Sequence, residues 1–327
     1  MTHSTNQLDS IQSILTHDIQ AVNAVIEQSL HSDVTLVNQV ASYIINSGGK
    51  RLRPILVLLS GGLFGTISSQ HHQLAAVVEF IHTATLLHDD VVDESDKRRG
   101  QNTANAIFGN AASVLVGDFV YSRAFQMMVA VQNMRVMEVL SNATNVIAEG
   151  EVLQLLNINN ADISDAEYLQ VIHFKTAKLF EAATSLGAII SQASAVDEAA
   201  LSQYGMHIGT AFQLIDDVLD LSGDAVAIGK NLGDDLSEGK PTLPLLYAMR
   251  HGNAAEAAAI KHAIEHGGLE DLASVLLAVE RTGALQHVRA IADSEAELAC
   301  AAIAHFTDSP YKLAMLTLAR FAASRHY

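Results

Sequence analysis

The stretch LAAVVEFIHTATLLHDDVVD, residues 74–93, decides the fold. Leu74, Val77, Val78, Ile81, Thr85 and Leu86 recur at the three- and four-residue spacing of one helix face. The run then ends in three carboxylates, Asp89, Asp90 and Asp93. Asp89 and Asp93 are four residues apart, so on a helix they share a face and could both reach one hard cation. Outward from this segment the same texture continues. The four prolines are Pro54, Pro241, Pro244 and Pro310, so no proline breaks a helix between Ile55 and Lys240. Alternating strand patterns with Asn-Gly or Asp-Gly turns are missing. The expectation is an all-α chain, one helical domain over residues 1–327.

Several boundaries can be placed. Gly48 and Gly49 suit a helix C-cap, and Pro54 suits the first turn of the next helix. Ser164 with Glu167 reads as a capping box after a polar loop over 157–163. A break is expected over 191–196, before a helix ending near Asp220. The segment from Ser222 to Lys240, with four glycines and mixed charges, reads as a long loop that needs a job, and a lid is the candidate.

Composition narrows the function. The 327 residues carry a formal net charge of −17, which excludes a nucleic-acid backbone as partner because such a surface repels phosphates. Only 5% of residues are aromatic and none is Trp, so the core must rest on Ala, Leu, Ile and Val. The lone cysteine, Cys300, has no partner for a disulfide or a CxxC metal site, which fits a reducing cytoplasm. The polar N-terminal residues do not read as a signal peptide, and no apolar run is long enough to span a membrane.

The chemistry lies in repetition. QLIDDVLD, residues 213–220, repeats the first pattern, with Asp216, Asp217 and Asp220 after an apolar run. Acidic residues near a helix C-terminus oppose the helix dipole. One such cluster could be merely solvated, but a matched pair favours a metal site, and Mg²⁺ is the ion that joins carboxylates to substrate phosphates. The 15 histidines show no zinc spacing. Cations gather near the same motifs: Lys50, Arg51 and Arg53, then Arg98 and Arg99, then Lys175 beside Thr176, then Lys230 and Lys240. Arg51 reads as an ordinary surface charge. In a chain with 19 Lys and Arg, the rest of the set suggests a pocket for two diphosphates.

With those residues in hand, the chain resembles the trans-prenyl diphosphate synthases. The resemblance rests on GGKRLRP (48–54), both Asp-Asp-x-x-Asp motifs, Arg98-Arg99, Lys175-Thr176 and GKNLGDDL (229–236), in order over about residues 40–250. VGDFVYSRAFQMM (116–128) and IAEGEVLQL (147–155) are similar to the long-chain branch. The resemblance implies a helical bundle around a deep central cavity, and a homodimer. It implies that Asp89, Asp93 and Asp216 hold Mg²⁺ against the allylic diphosphate, with Asp90, Asp217 and Asp220 in support. Lys50, Arg53, His82 and Arg99 would hold isopentenyl diphosphate. Arg98, Lys175 and Lys230 would steady the allylic diphosphate, with Thr176, Gln213 and Lys240 nearby. From the residues alone, His82 is an ordinary core histidine.

Product length follows from the helix behind Asp89. Short-chain relatives, by the same resemblance, carry bulky aromatics at the position of Ala84 or Thr85, and here both residues are small. Val78 lies about 16 Å back at 1.5 Å per residue, and an isoprene unit spans roughly 5 Å. The face from Thr85 through Ile81 to Val78 therefore takes about three units. A floor is expected farther on, at Phe125, Met127 and Met128 of the next long helix or Leu140 of the one after. The expected product is C40 to C45, suited to a quinone side chain, released with at most peripheral membrane contact. A terpene cyclase would lack GGKRLRP, a regulatory subunit would have eroded aspartates, and a purely structural bundle would leave the paired carboxylates unexplained. The C-terminal Arg325-His326-Tyr327 reads as a frayed tail.

Overall fold

The computed structural model describes residues 10–98, 100–222 and 232–325. Helices succeed one another along nearly the whole of that chain. They are α1 (Thr16–Leu30), α2 (Thr35–Asn46), α3 (Leu52–Gly62) and α4 (Ser69–Val92), then, after β1 (Lys97–Arg98) and β2 (Gln101–Asn102), α5 (Ala104–Phe108), α6 (Asn110–Ala130) and α7 (Met134–Asn157). Next come α8 (Asp165–Ile172), a π-helical turn (His173–Ala177), α9 (Lys178–Ile190) and α10 (Ala195–Asp220). The chain ends with α11 (Asp234–Ser237), α12 (Leu243–His251), α13 (Ala254–His266), α14 (Leu272–Thr282), α15 (Ala284–Ala302) and α16 (Pro310–Ser324). The all-α expectation holds. The one departure among the described residues is the two-residue ribbon, in which Arg98 pairs with Gln101 across Gly100. Gly100 has φ +75°, the left-handed backbone that a tight turn needs, and no Asn-Gly or Asp-Gly signal announced it.

Local chemistry explains the boundaries. At Ser164 the hydroxyl accepts from the Glu167 N–H at 3.2 Å, while the Ser164 N–H donates to Glu167 Oε2 at 2.8 Å, which is the expected capping box. Gly48 has φ +83° where the chain leaves α2, and Pro54 sits in the first turn of α3. The loop expected over 222–240 contains the short helix α11, and residues 223–231, with its lid reading, lie outside the described residues. No helix among the described residues is long and apolar enough to cross a membrane.

The chain divides into two compact units. One comprises residues 1–144, 179–205 and 302–318, the other residues 145–178, 206–301 and 319–327. In the first, α4 packs most extensively against α6, with α3 and α1 on its other sides. That is why α4 is apolar nearly all round: Leu74, Val77, Val78, Phe80, Ile81, Ala84 and Leu87 are all fully buried. Small residues let helices approach closely here. A Cβ on Gly187 would lie 2.5 Å from Ser60 Cβ and 2.7 Å from the Gly61 nitrogen, so α9 and α3 touch backbone to backbone at that point. The Tyr204 hydroxyl donates to the Met315 carbonyl at 2.7 Å, tying the start of α10 to α16. In the second unit, α12, α13 and α14 close over a core of Leu236, Leu245, Ile260, Ile264, Val275 and Val279.

Candidate functional site

Each unit carries one aspartate motif at the C-terminal end of a long helix. In the first, Asp89 lies in the last turn of α4 and Asp93 is its C-cap, both partly exposed. Asp90, between them, is fully buried. Its Oδ1 accepts from Arg98 Nε and lies 2.7 Å from Arg98 Nη2, so the β-ribbon delivers a guanidinium onto the motif. Burial raises the Asp90 carboxyl above its ordinary range, and the charge of Arg98 draws it back down. The other oxygen, Oδ2, is buried with no hydrogen-bond partner. The Asp90 carbonyl accepts from Asn105 Nδ2 and the Ser95 N–H, which fixes the chain where it leaves α4.

The basic residues of this unit are placed by packing. Lys50 precedes α3, and Arg53 lies in its first turn, with the guanidinium 4.5 Å from the centre of the Phe180 ring. His82 lies on α4, and its carbonyl accepts from the Thr85 hydroxyl at 2.8 Å. Arg51, read from sequence as a surface charge, is half-buried, has φ +47° and donates to Asn23 Oδ1. Arg99 lies outside the described residues. The chain-length candidates Ile81, Ala84, Met128 and Leu140 are fully buried, and Thr85 is partly buried.

In the second unit Lys175 and Thr176 sit in the π-helical turn. Such a turn adds a residue to the helix and alters which side chains share a face. It lies against α7 at Gly150, where a Cβ would come within 2.6 Å of the Lys175 nitrogen and 2.8 Å of Phe174 Cβ. The neighbouring Glu151 pairs with Lys175 Nζ at 2.6 Å. Thr176, Gln213, Asp217, Tyr168, Lys175 and Lys240 all line one cavity of about 150 Å³. Thr176 Oγ1 donates to Gln213 Oε1 at 3.0 Å, and Gln213 Nε2 donates to Asp217 Oδ1 at 2.8 Å. The buried Tyr168 hydroxyl donates to Asp217 Oδ2. Burial first, and Asp235 next, push Asp217 up to about 7. Lys240 pairs with Glu238. Asp220 is buried, with Oδ1 3.4 Å from the Asp235 nitrogen. Lys230 lies outside the described residues.

Arg325, near the C-terminus, corrects the frayed-tail reading. It is buried, its Nη2 lies 2.8 Å from Asp216 Oδ1 and donates to the Phe212 carbonyl, and its guanidinium stacks 3.7 Å from the Phe212 ring centre. His326 and Tyr327 lie outside the described residues. Tyr168, Glu151 and Asp235 were missed by sequence reasoning. Glu151 and Asp235 were within the quoted 147–155 and 229–236 motifs, but nothing marked the one as the partner of Lys175 or the other as a neighbour of Asp217, and Tyr168 carries no signal apart from its core position on a short helix.

Among the described residues, no three His, Cys, Asp or Glu side chains converge closely enough to hold a metal ion by themselves. The donor set nevertheless suits Mg²⁺, which takes one or two carboxylates and completes its shell with water and phosphate oxygens. Asp89 and Asp93 supply such a pair one turn apart, at a helix end whose dipole disfavours their charge.

Residues 34–280 match the polyprenyl synthetase family. Over 254 residues, 78% of this chain and 79% of the relative, the sequence is 56% identical to the octaprenyl diphosphate synthase of Escherichia coli. It is 46% identical over 258 residues to an all-trans-nonaprenyl-diphosphate synthase of Rhodobacter capsulatus, covering 78% and 79% of the two chains. A crystal structure of a polyprenyl synthase from Caulobacter crescentus, complexed with calcium and isoprenyl diphosphate, superposes with a TM-score of 0.94 at 42% identity, over 98% of each chain. The all-helical fold with two aspartate-capped helices is thus that of an isoprenyl synthase, and the chain belongs to the polyprenyl synthetase family. Its members are prenyltransferases, and this chain is one.

The buried Asp90 makes Arg98 a structural as well as a functional candidate. Arg98→Met should lower the stability to urea by about 2–3 kcal/mol, at the lower end for an orphaned buried charge because Arg98 is partly solvated. Arg98→Lys should recover part of that loss. An unchanged unfolding midpoint for Arg98→Met would show that Asp90 does not depend on it.

Proposed function

We propose that the chain condenses isopentenyl diphosphate repeatedly onto an allylic prenyl diphosphate such as farnesyl diphosphate, giving an all-trans polyprenyl diphosphate of C40 to C45. The relatives that make octaprenyl and nonaprenyl diphosphates support that length. The observation that carries the reading is that each aspartate motif stands with a cation that a carboxylate holds in place: Arg98 on Asp90, and Lys175 on Glu151 in the turn that neighbours Asp217.

The roles follow from charge. Mg²⁺, held by Asp89, Asp93 and Asp216, would neutralise charge on the departing diphosphate. Asp90 and Asp217 act on their protein neighbours, since Asp90 Oδ1 and both Asp217 oxygens already accept hydrogen bonds or ion pairs. Arg98 and Lys175 draw the allylic diphosphate away from its C1, and Lys50, Arg53 and His82 orient isopentenyl diphosphate so that its double bond meets the allylic cation. The C–O bond breaks first to give the allylic cation, the carbon–carbon bond then forms, and the proton lost passes to the released diphosphate. Arg325, which occupies Asp216 here, would have to share or yield that carboxylate when a cation binds.

The growing tail runs along the small-residue face of α4, past Ala84 and Ile81. Met128, buried in α6 beside α4, is the proposed floor. Homodimerisation is proposed from the family and from apolar surface. Val152, Leu155 and Leu156 form an exposed stripe on α7 at 56%, 57% and 71% exposure, and Leu115 on α6 is 67% exposed.

Labelled isopentenyl diphosphate should be incorporated with farnesyl diphosphate and Mg²⁺, and chelation should abolish incorporation. Asp89→Asn and Asp216→Asn should each lower kcat by on the order of a hundredfold or more. A chain that incorporates nothing under any of these conditions would overturn the reading. Met128→Ala should shift the product mass upward by one or more isoprene units, whereas an unchanged product distribution would remove Met128 as the floor. Sedimentation should report twice the chain mass at micromolar protein, and a lone monomer would refute the dimer.

A further inference from the structure

Tyr168 is not needed as a tyrosine for packing. Its ring fills the core on α8, yet its hydroxyl, buried with it, is committed to a carboxylate. It donates to Asp217 Oδ2. Ionised, Asp217 offers only acceptors, so the amide group of Gln213 turns its Nε2 toward Oδ1, as observed at 2.8 Å. That orientation leaves Gln213 Oε1 as the acceptor for the Thr176 hydroxyl hydrogen, at 3.0 Å. Donors thus converge on Asp217 from both sides, and the Thr176 hydroxyl hydrogen is committed to Gln213, so Thr176 can act toward the cavity it lines only as an acceptor.

We infer that Tyr168 is a positioning residue for prenyl transfer, acting through Asp217 and Gln213 to set the orientation of the Thr176 hydroxyl. The inference rests on the prenyl-transfer reading and adds to it a residue outside the family motifs quoted above. A fixed, buried acceptor costs no reorganisation during the reaction, so its loss falls on kcat and leaves KM largely alone. Removing the Tyr168 hydroxyl takes its donor from Oδ2 of Asp217, which frees the carboxylate and then the amide to rotate. The cavity wall keeps its shape, since phenylalanine fills the same volume.

The test places Tyr168→Phe in three backgrounds: Thr176 as it stands, Thr176→Ser, which keeps a hydroxyl, and Thr176→Val, which removes it. With the first two, Tyr168→Phe should lower kcat by roughly tenfold, with KM for isopentenyl diphosphate changed less than about twofold. With Thr176→Val the same change should cost less than about twofold, because the hydroxyl it orients is gone. An equal cost in all three backgrounds would overturn the inference and leave Tyr168 as a packing residue. Asp217→Asn, isosteric but with a donor on one side, is read in the same backgrounds should Tyr168→Phe fail to fold, and the same pattern is expected. An inactive wild-type chain would instead refute prenyl transfer, so the two failures are distinguishable.

Discussion

Negative charge at the C-terminal end of a helix is the constraint to which much of this molecule answers. The last carbonyls of α4 and α10 already carry partial negative charge, and each helix adds three aspartates to it. The protein offsets the penalty unevenly. The middle aspartate of each motif is taken inside and matched by the protein, Asp90 by Arg98 and Asp217 by Tyr168 and Gln213, and in the second motif Asp220 is buried as well. Asp89, Asp93 and Asp216 remain closer to solvent, with Arg325 beside Asp216. The β-ribbon, the π-helical turn and the buried C-terminal arginine can each be understood as a means of bringing a compensating group to one of these helix ends.

The same division separates holding from reacting. A carboxylate whose oxygens are used within the protein cannot also serve freely as a ligand, but it can fix its neighbours. Lys175 is an example of the second arrangement: Glu151 pairs with its ammonium, and the close approach at Gly150 sets the height of the turn that carries it. Long cationic side chains lose rotamer freedom when they bind a diphosphate, and a partner that restrains them beforehand reduces that cost.

Much of this was legible in the sequence because it depends on local rules. The proline-free tract, the capping box at Ser164 and the glycines after α2 report the backbone directly, and the helices begin and end close to where those residues place them. The paired aspartates were visible because their spacing and their position at the end of an apolar run are one-dimensional facts. Tyr168 and Arg325 were not, because their importance lies in what they touch: one is 49 residues from Asp217 and the other 109 from Asp216. The π-helical turn was also hidden, since His173 to Ala177 has the composition of ordinary helix and only packing against α7 distinguishes it. Two-residue strands are below the length at which alternation can be read at all, so the ribbon carrying Arg98 left no pattern.

The π-helical turn has an evolutionary consequence. Deleting its extra residue would join α8 to α9 as one regular helix, with better hydrogen bonding, while rotating everything downstream by roughly 100°. Lys175 and Thr176 would then leave their cavity, although the resulting helix would be the more favourable one in isolation. Selection for heat resistance alone would therefore push this segment toward straightness, and selection for turnover would push it back. In a collection of thermally hardened descendants, residues 173–177 are where gains in melting temperature and losses of activity should be found together.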